Sequence, residues 1–156
     1  MNRVVIPTKL GSLRIGFSPR GVTGVEFLPA RRRQRDQAPA GPAFLRCTIR
    51  DLREYARGQP VVFRVPLDLS GGTVFQQKVW RALCRIPRGQ TRSYAWVARQ
   101  IGRPRATRAV GAACGANPVP VIVPCHRVIA SDGSLGGFSA GLPLKIRLLK
   151  FERVEV

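Results

Sequence analysis

Apolar and polar positions alternate at the start of the chain and then change to helical spacing. Strand-like segments at 4–6, 13–17 and 22–27 are separated by Gly-Ser and Pro-Arg-Gly turns. A polar stretch over 29–42 reads as a loop and contains Arg31-Arg32-Arg33-Gln34-Arg35, which is either a solvated basic loop or a DNA contact. Over 44–56, apolar residues at Phe44, Leu45, Ile49, Leu52 and Ala56 have the spacing of a helix with one buried face. Residues 61–65 could add a strand. The first 66 residues therefore read as an α/β domain with a small antiparallel sheet, and 67–72 (Leu-Asp-Leu-Ser-Gly-Gly) as a linker.

From residue 73 to 156 the pattern is mostly helical. Thr73 followed by Gln76 is a capping-box signature, and Phe75, Val79 and Leu83 then share a face that ends at Ile86-Pro87. Ser93 can cap a helix carrying Tyr94, Val97, Ala98 and Ile101. Gly102-Arg103-Pro104 breaks it, and a further helix is expected over about 105–114. Two short helices around a glycine-containing turn fit a helix-turn-helix, a pattern shared by many helical hairpins. In the second helix, Ala106, Ala109, Val110, Ala113 and Cys114 fall on one side, expected to face the core. Thr107, Arg108, Gly111 and Ala112 fall on the other, which is small except for one arginine. A helix pressed against a duplex needs such short side chains, but so does close packing between helices. Glycine inside a helix costs about 1 kcal/mol relative to alanine, so Gly111 points to a steric requirement.

Beyond this helix, Asn117-Pro118-Val119-Pro120 reads as a rigid turn and 121–123 as a short buried strand. Residues 131–134 form a turn and 135–141 a glycine-rich loop. Pro143 starts a final helix, with Leu144, Leu148 and Phe151 expected inward and Lys145 and Lys150 outward.

Charge narrows the partners. The chain has 156 residues, 27 basic against 8 acidic, and a formal net charge of +19. Basic residues fill both halves, and only Lys9, Lys78, Lys145 and Lys150 are lysines. Arginine suits bidentate phosphate contacts, so nucleic acid is the natural partner, with codon bias or thermal adaptation as the bland explanation. No apolar run is long enough to span a bilayer and no signal-peptide pattern is present, so a soluble, cytoplasmic protein is expected. Cys47, Cys84, Cys114 and Cys125 are widely and irregularly spaced, which fits neither a zinc site nor a disulfide framework.

Pro124-Cys125-His126-Arg127-Val128 carries the chemistry. His126 is the only histidine of the chain and stands beside one of the four thiols. The thiolate is the nucleophilic form of cysteine, and a neighbouring base or cation activates it. Alone, this pair could serve hydrolysis, redox chemistry or a metal.

Residues 124–129 (Pro-Cys-His-Arg-Val-Ile) resemble the active-site signature of the O6-alkylguanine-DNA alkyltransferases, also called methylated-DNA–protein-cysteine methyltransferases. The resemblance takes in Gly72-Thr73-Val74-Phe75-Gln76 with Val79-Trp80, and Ile86-Pro87-Arg88-Gly89 with Thr91, Ser93 and Tyr94. It continues through Arg108-Ala109-Val110-Gly111, Asn117-Pro118, the glycine loop, and Leu148-Leu149 with Glu152, so it covers nearly all of 70–152 in order. It implies an α/β N-terminal domain and a C-terminal winged-helix-like domain holding the thiol. It implies flipping of O6-alkylguanine, with O4-alkylthymine as a second substrate, out of double-stranded DNA. The alkyl group then passes to cysteine, once per molecule and without a cofactor. It also implies a monomer in solution, with cooperative binding along DNA open to test.

The same resemblance assigns roles. Cys125 would be the nucleophile, His126 the base reached through a water, and Glu152 the carboxylate that orients the histidine. Tyr94 would help to rotate the nucleotide and bond the flipped base, and Arg108 would fill the gap in the stack. Ala106, Thr107, Gly111 and Ala112, with Ser93, would lie against the minor groove. Asn117 would brace the turn before the active-site segment. The carbonyls of Cys125 and Val128 would accept from the guanine amino group, and Ser139 would donate near O6. Gly136 and Gly137 would let the loop close on the base, and Arg127 would make structural polar contacts. Phe138 stands where many relatives have tyrosine, which makes the pocket more apolar. The N-terminal part lacks the cysteine and histidine ligands of zinc-containing relatives, so no metal is expected. A binding-only relative, a cysteine hydrolase and a helix-turn-helix regulator are the competing readings.

Overall fold

The computed structural model describes residues 2–29 and 40–156; the arginine run at 31–35 lies outside them. The chain divides into two compact units, Met1–Gly71 and Gly72–Val156. The first holds a three-stranded antiparallel sheet, β1 (Asn2–Thr8), β2 (Gly11–Ser18) and β3 (Gly21–Phe27), in sequential order. Pairing of Val4 with Ile15, Ile6 with Leu13 and Ile15 with Val25 places buried aliphatic side chains across neighbouring strands. Helix α1 (Ala43–Ala56) adds Leu45, Ile49, Leu52 and Ala56 to this core. Each of these leucine, isoleucine and valine side chains contributes roughly 1.5–3 kcal/mol when fully buried.

Residues 61–65 do not form the strand expected of them; the chain pairs only further on, at Leu67, through an isolated parallel bridge to Val22. The amide of Val22 donates to Pro66 (2.9 Å) and that of Asp68 donates to Val22 (2.9 Å). Gly21 makes room for this crossing, because a Cβ there would lie 2.5 Å from the Pro66 carbonyl oxygen. Asp68 accepts from Ser18 (2.6 Å) and Ser70 (2.6 Å), which hold its carboxyl down at about 2. Leu69 is buried, so most of the segment read as a linker is anchored to the first unit.

The second unit contains α2 (Val74–Leu83), α3 (Tyr94–Gln100), α4 (Thr107–Gly115) and α5 (Leu142–Phe151). Two-residue strands β4 (Arg92–Ser93) and β5 (Val128–Ile129) pair in parallel. The Thr73 hydroxyl accepts from the Gln76 amide and the Gln76 side chain accepts from the Thr73 amide, the reciprocal box that starts α2. Ser93 starts α3 in the same manner, accepting from Trp96 (3.0 Å). The Trp80 indole donates to the carbonyl of Ala113 (2.8 Å), one of the end carbonyls of α4 that no helical amide can reach.

Three expectations fail here. Residues 121–123 are buried but are not a strand: Val121 has φ 75°, and the backbone turns so that Val123 donates to Val119 (2.9 Å). A β-branched residue is strained there, and the Asn117 side chain holds the turn closed from both sides. It donates to Val123 (2.8 Å) and accepts from Val119 (2.9 Å). Ala109 is exposed rather than inward, because the buried side of α4 is the narrower set Val110, Ala113 and Cys114. Lys145 is fully buried, not outward. The inward stripe of α5 is Lys145, Leu148, Leu149 and then Glu152, one position away from the stripe read from the sequence. Among the described residues, no helix is long and apolar enough to cross a membrane.

Candidate functional site

Cys125 opens a single 3-10 turn, Cys125–Arg127, immediately before β5. Short helical turns spread consecutive side chains about 120° apart, so Cys125 and His126 diverge. The thiol reaches the wall of a pocket of about 340 Å³, while His126 turns into the protein interior. Tyr94, Gly111, Cys114 and Gly115 line the pocket from α3 and α4, and 136–139 line it from the glycine loop.

A polar cluster lies behind the thiol. Nε2 of His126 is 2.7 Å from Oε1 of Glu152. Arg127 donates from Nε to Oε2 of Glu152 (2.8 Å) and from Nη2 to Oε1 (2.9 Å), a bidentate grip, and from Nη1 to the carbonyl of Ile86 (2.6 Å). Burial alone would raise the Glu152 carboxyl, but the bonds from His126 and Arg127 outweigh it and hold it below the ordinary carboxylate range. Burial pushes the imidazole of His126 down, against the opposing pull of Glu152, so it rests neutral. With Nε2 donating to the carboxylate, Nδ1 is left as the basic atom. Burial also raises the thiol of Cys125, with Asn117 and Lys145 working against it. Cys125 is therefore a protonated thiol at neutral pH, not a standing thiolate, and would need a base in order to attack.

The 6-O-methylguanine DNA methyltransferase DNA-binding domain model matches residues 74–154. The sequence is 41% identical over 152 residues to the methylated-DNA–protein-cysteine methyltransferase of Methanosarcina barkeri, covering 95% of this chain and 94% of that one. The chain belongs to the methylated-DNA–protein-cysteine methyltransferase family. The inducible enzyme of that name from Bacillus subtilis is 50% identical over 103 residues, 66% of this chain and 57% of its own. Among solved structures, Mycobacterium tuberculosis OGT in complex with DNA superposes with a TM-score of 0.85 at 39% identity, over 98% of this chain and 93% of that one. The O6-methylguanine-DNA methyltransferase of Pyrococcus kodakaraensis superposes with a TM-score of 0.67 at 28% identity, over 98% of this chain and all of that one.

In this member of the family, the residues marked on sequence grounds separate into three places. Cys125, Tyr94, Gly111, Gly136, Phe138 and Ser139 meet at the pocket. His126, Glu152 and Arg127 lie behind it, and Asn117 braces the turn that leads into it. Thr107, Arg108 and Ala112 stand exposed on the outer side of α4, while Ala106 is its N-cap residue and Ser93 is engaged as the cap of α3. Gly136 has φ 67°, and a Cβ on it would lie 2.8 Å from the Tyr94 hydroxyl, so only glycine lets the loop close onto Tyr94.

Lys145 is the residue that sequence reasoning missed. Its Nζ donates to the carbonyls of Val128 (2.7 Å), Leu135 and Gly137 (3.2 Å), tying the active-site segment to the glycine loop. The signal was present: Lys145, Leu148, Leu149 and Glu152 recur at 3, 4 and 7, and a carboxylate needed inside implies that its whole stripe is inside. The carbonyls expected to meet a guanine amino group are thus already engaged, that of Val128 by Lys145 and that of Cys125 by the Val128 amide. A carbonyl has two lone pairs, so each retains capacity for one further donor. Cys114 also lines the pocket, but burial pushes its thiol up to about 12, which makes it a poor nucleophile beside Cys125.

Proposed function

We propose that this chain repairs alkylated double-stranded DNA by moving the alkyl group of an O6-alkylguanine onto Cys125, in one irreversible step per molecule. The observation that carries this reading is a thiol in a pocket wall, immediately followed by a buried imidazole whose far nitrogen is held by Glu152. That is triad logic applied to a thiol, without the need for a hydrolytic second step.

In the proposed reaction the Cys125 proton passes through a bridging water to Nδ1 of His126. Glu152, held anionic by Arg127, stabilises the imidazolium that results. The sulfur forms its bond to the alkyl carbon as that carbon's bond to O6 breaks. The restored guanine takes up one proton, so the net movement is one alkyl group and one proton exchanged between thiol and base. The product thioether has no leaving group comparable to guanine, so the protein is consumed. O4-alkylthymine presents the same kind of O-alkyl group and is included as a second substrate.

We assign α3, the turn after it and α4 to a helix-turn-helix within a winged-helix-like domain, with the outer side of α4 against the minor groove. The minor groove carries little sequence information, which suits repair at any site. Arg108, long and exposed among short neighbours, would fill the space left in the stack and offset part of the few kcal/mol that flipping costs. Tyr94 and the 136–139 loop would hold the flipped base, with Ser139 donating near O6. Gly111 supports the pocket assignment: a Cβ there would meet only the Tyr94 ring at 4.0 Å, an ordinary contact, so no neighbour in the protein demands glycine. The demand then comes from what enters the pocket. Phe138 makes that pocket more apolar than a tyrosine would.

The test is incubation with a duplex carrying one O6-methylguanine, followed by digestion of both components. The expected result is one methyl group on the Cys125 peptide, restored guanine and no second turnover. Repair by Cys125→Ala, or repeated turnover, would overturn the mechanism.

A further inference from the structure

Arg46, Arg50, Arg53 and Arg57 recur at intervals of four, three and four along α1 and its C-terminal cap. At 100° per residue all four fall within about 60° of one another, away from the buried side formed by Leu45, Ile49, Leu52 and Tyr55. Arg46, Arg50 and Arg57 are exposed and Arg53 is half-buried. At the far end of the stripe, Lys9 from the β1–β2 turn joins Arg53 and Arg57, with Pro7 and Thr8, around a cleft of about 420 Å³. Two carboxylates stand to one side: Asp51 pairs with Arg50 (3.1 Å) and Glu54 with Arg57 (2.8 Å). Among the described residues, the cations of this patch outnumber the carboxylates beside them.

Folding does not ask for this arrangement. Like charges three or four residues apart repel and destabilise a helix. The ion pairs of Arg50 and Arg57 are with neighbours on the same helix, and such exposed, solvent-screened pairs are weak, so a phosphate can replace them. The stripe extends about 16 Å, the axial run of four or five phosphates of one strand. Guanidinium groups grip phosphate oxygens bidentately.

We propose that the α1 arginine stripe with Lys9 is a second DNA-binding surface, which takes the phosphate backbone of double-stranded DNA without regard to sequence or lesion. It rests on the reading that this chain acts on DNA, and it adds a contact outside the pocket-bearing unit. Such a contact holds the protein on undamaged duplex without placing any side chain at a base.

The experiment compares the full-length wild-type protein with a variant carrying Lys9→Gln, Arg46→Gln, Arg50→Gln, Arg53→Gln and Arg57→Gln, binding an undamaged duplex over a salt series. Each phosphate contact contributes about 0.9 to the slope of log affinity against log salt, so the variant's slope should be shallower by at least about 2. The corresponding arginine-to-lysine variant, with Lys9 kept, should retain the wild-type slope. Alkyl transfer to Cys125 from the free nucleoside O6-methyldeoxyguanosine, which carries no phosphate, should be unchanged in all three proteins. In the wild type, duplex should shield Arg46, Arg50 and Arg57 from phenylglyoxal. A glutamine variant with the wild-type slope, or equal phenylglyoxal labelling with and without duplex, would overturn the proposal. The repair reading is judged separately, by methyl on the Cys125 peptide.

Discussion

The two units of this chain bury different things. Among the described residues, the first unit's core holds no charged side chain; it buries only hydroxyls, those of Thr23, of Tyr55 and of Thr48, the last donating to the Phe44 carbonyl one turn back (2.8 Å). The second unit buries Asn117, His126, Arg127, Lys145 and Glu152. Taking an ion out of water costs several kcal/mol even after relaxation, and good pairing recovers only part of it. The first unit shows that this chain can build a core without such groups. The polar interior of the second unit is therefore explained by its chemistry, not by the needs of folding.

The contrast is most easily broken at Glu152. Glu152→Ala leaves His126 and Arg127 facing a buried space without their carboxylate, and should cost about 3–5 kcal/mol in urea denaturation. Alkyl transfer should fall with it, because the imidazolium loses its counter-charge. Thr48→Val, the matching change in the first unit, removes one hydrogen bond to a backbone carbonyl and should cost about 1 kcal/mol or less. Equal costs at the two sites would show that the polar cluster is ordinary packing.

Lys145 separates stability from function within the second unit. Lys145→Met keeps the aliphatic stem and removes a buried charge, whose desolvation cost offsets part of the hydrogen bonds lost. Three carbonyls lose their shared donor, however, and the link between Val128 and the glycine loop is lost. Displacing a reacting group by about 1 Å can lower a rate on the order of 100-fold. The expected outcome is a melting temperature near that of wild type with a transfer rate lower by roughly 10- to 100-fold. A variant that loses both together would place Lys145 in the core rather than at the loop.

Acid should find the second unit first. Glu152 has a folded pKa held below its ordinary value of about 4.3, so its contribution is present above that value and lost as pH falls below it. His126 is also lowered, by burial, so the unfolded chain binds its proton more readily and stability declines as pH drops below about 6.5. Both slopes have the same sign. In the first unit Asp68 is likewise lowered, to about 2, so its contribution is lost only as pH falls below about 3.9, a more acid range than an exchange comparison down to about pH 5 reaches. Amide exchange compared at neutral pH and near pH 5 should show lost protection concentrated in 72–156.

The same contrast decides what could be read in the sequence. The three strands and α1 were legible because alternation and the helical repeat report burial of apolar side chains, and the first unit buries little else. The helix starts at Thr73 and Ser93 were legible because caps are local chemistry. Lys145 was not legible from hydropathy, which sends lysine outward; only the stripe it shares with Glu152 marks it as inward, and the carbonyls that receive it appear only in the fold. The turn at Val121 was missed for a related reason. Three consecutive β-branched residues imitate a strand, and the Asn117 side chain that overrides them acts from four residues upstream. The candidate site residues were named through motif resemblance; the arrangement of His126, Arg127 and Glu152 behind the thiol came only with the fold.

The smallest expected effect is the sharpest on the comparison, because it concerns glycines that look alike in sequence. In the first unit Gly21 is needed by the fold, since a Cβ would collide with the Pro66 backbone at 2.5 Å, and Gly21→Ala should destabilise. In the second unit Gly111 lies inside α4, and an added Cβ would rest 4.0 Å from the Tyr94 ring. Gly111→Ala should therefore raise stability, by about 0.5–1 kcal/mol from helix propensity alone. The added methyl would stand at the pocket wall between α4 and Tyr94, where the base is proposed to enter. Transfer from alkylated duplex should slow even as the melting temperature rises. If Gly111→Ala stabilises and repairs at the wild-type rate, the glycine is unrelated to the pocket's occupant, and the small outer side of α4 reflects neither packing nor DNA at that position.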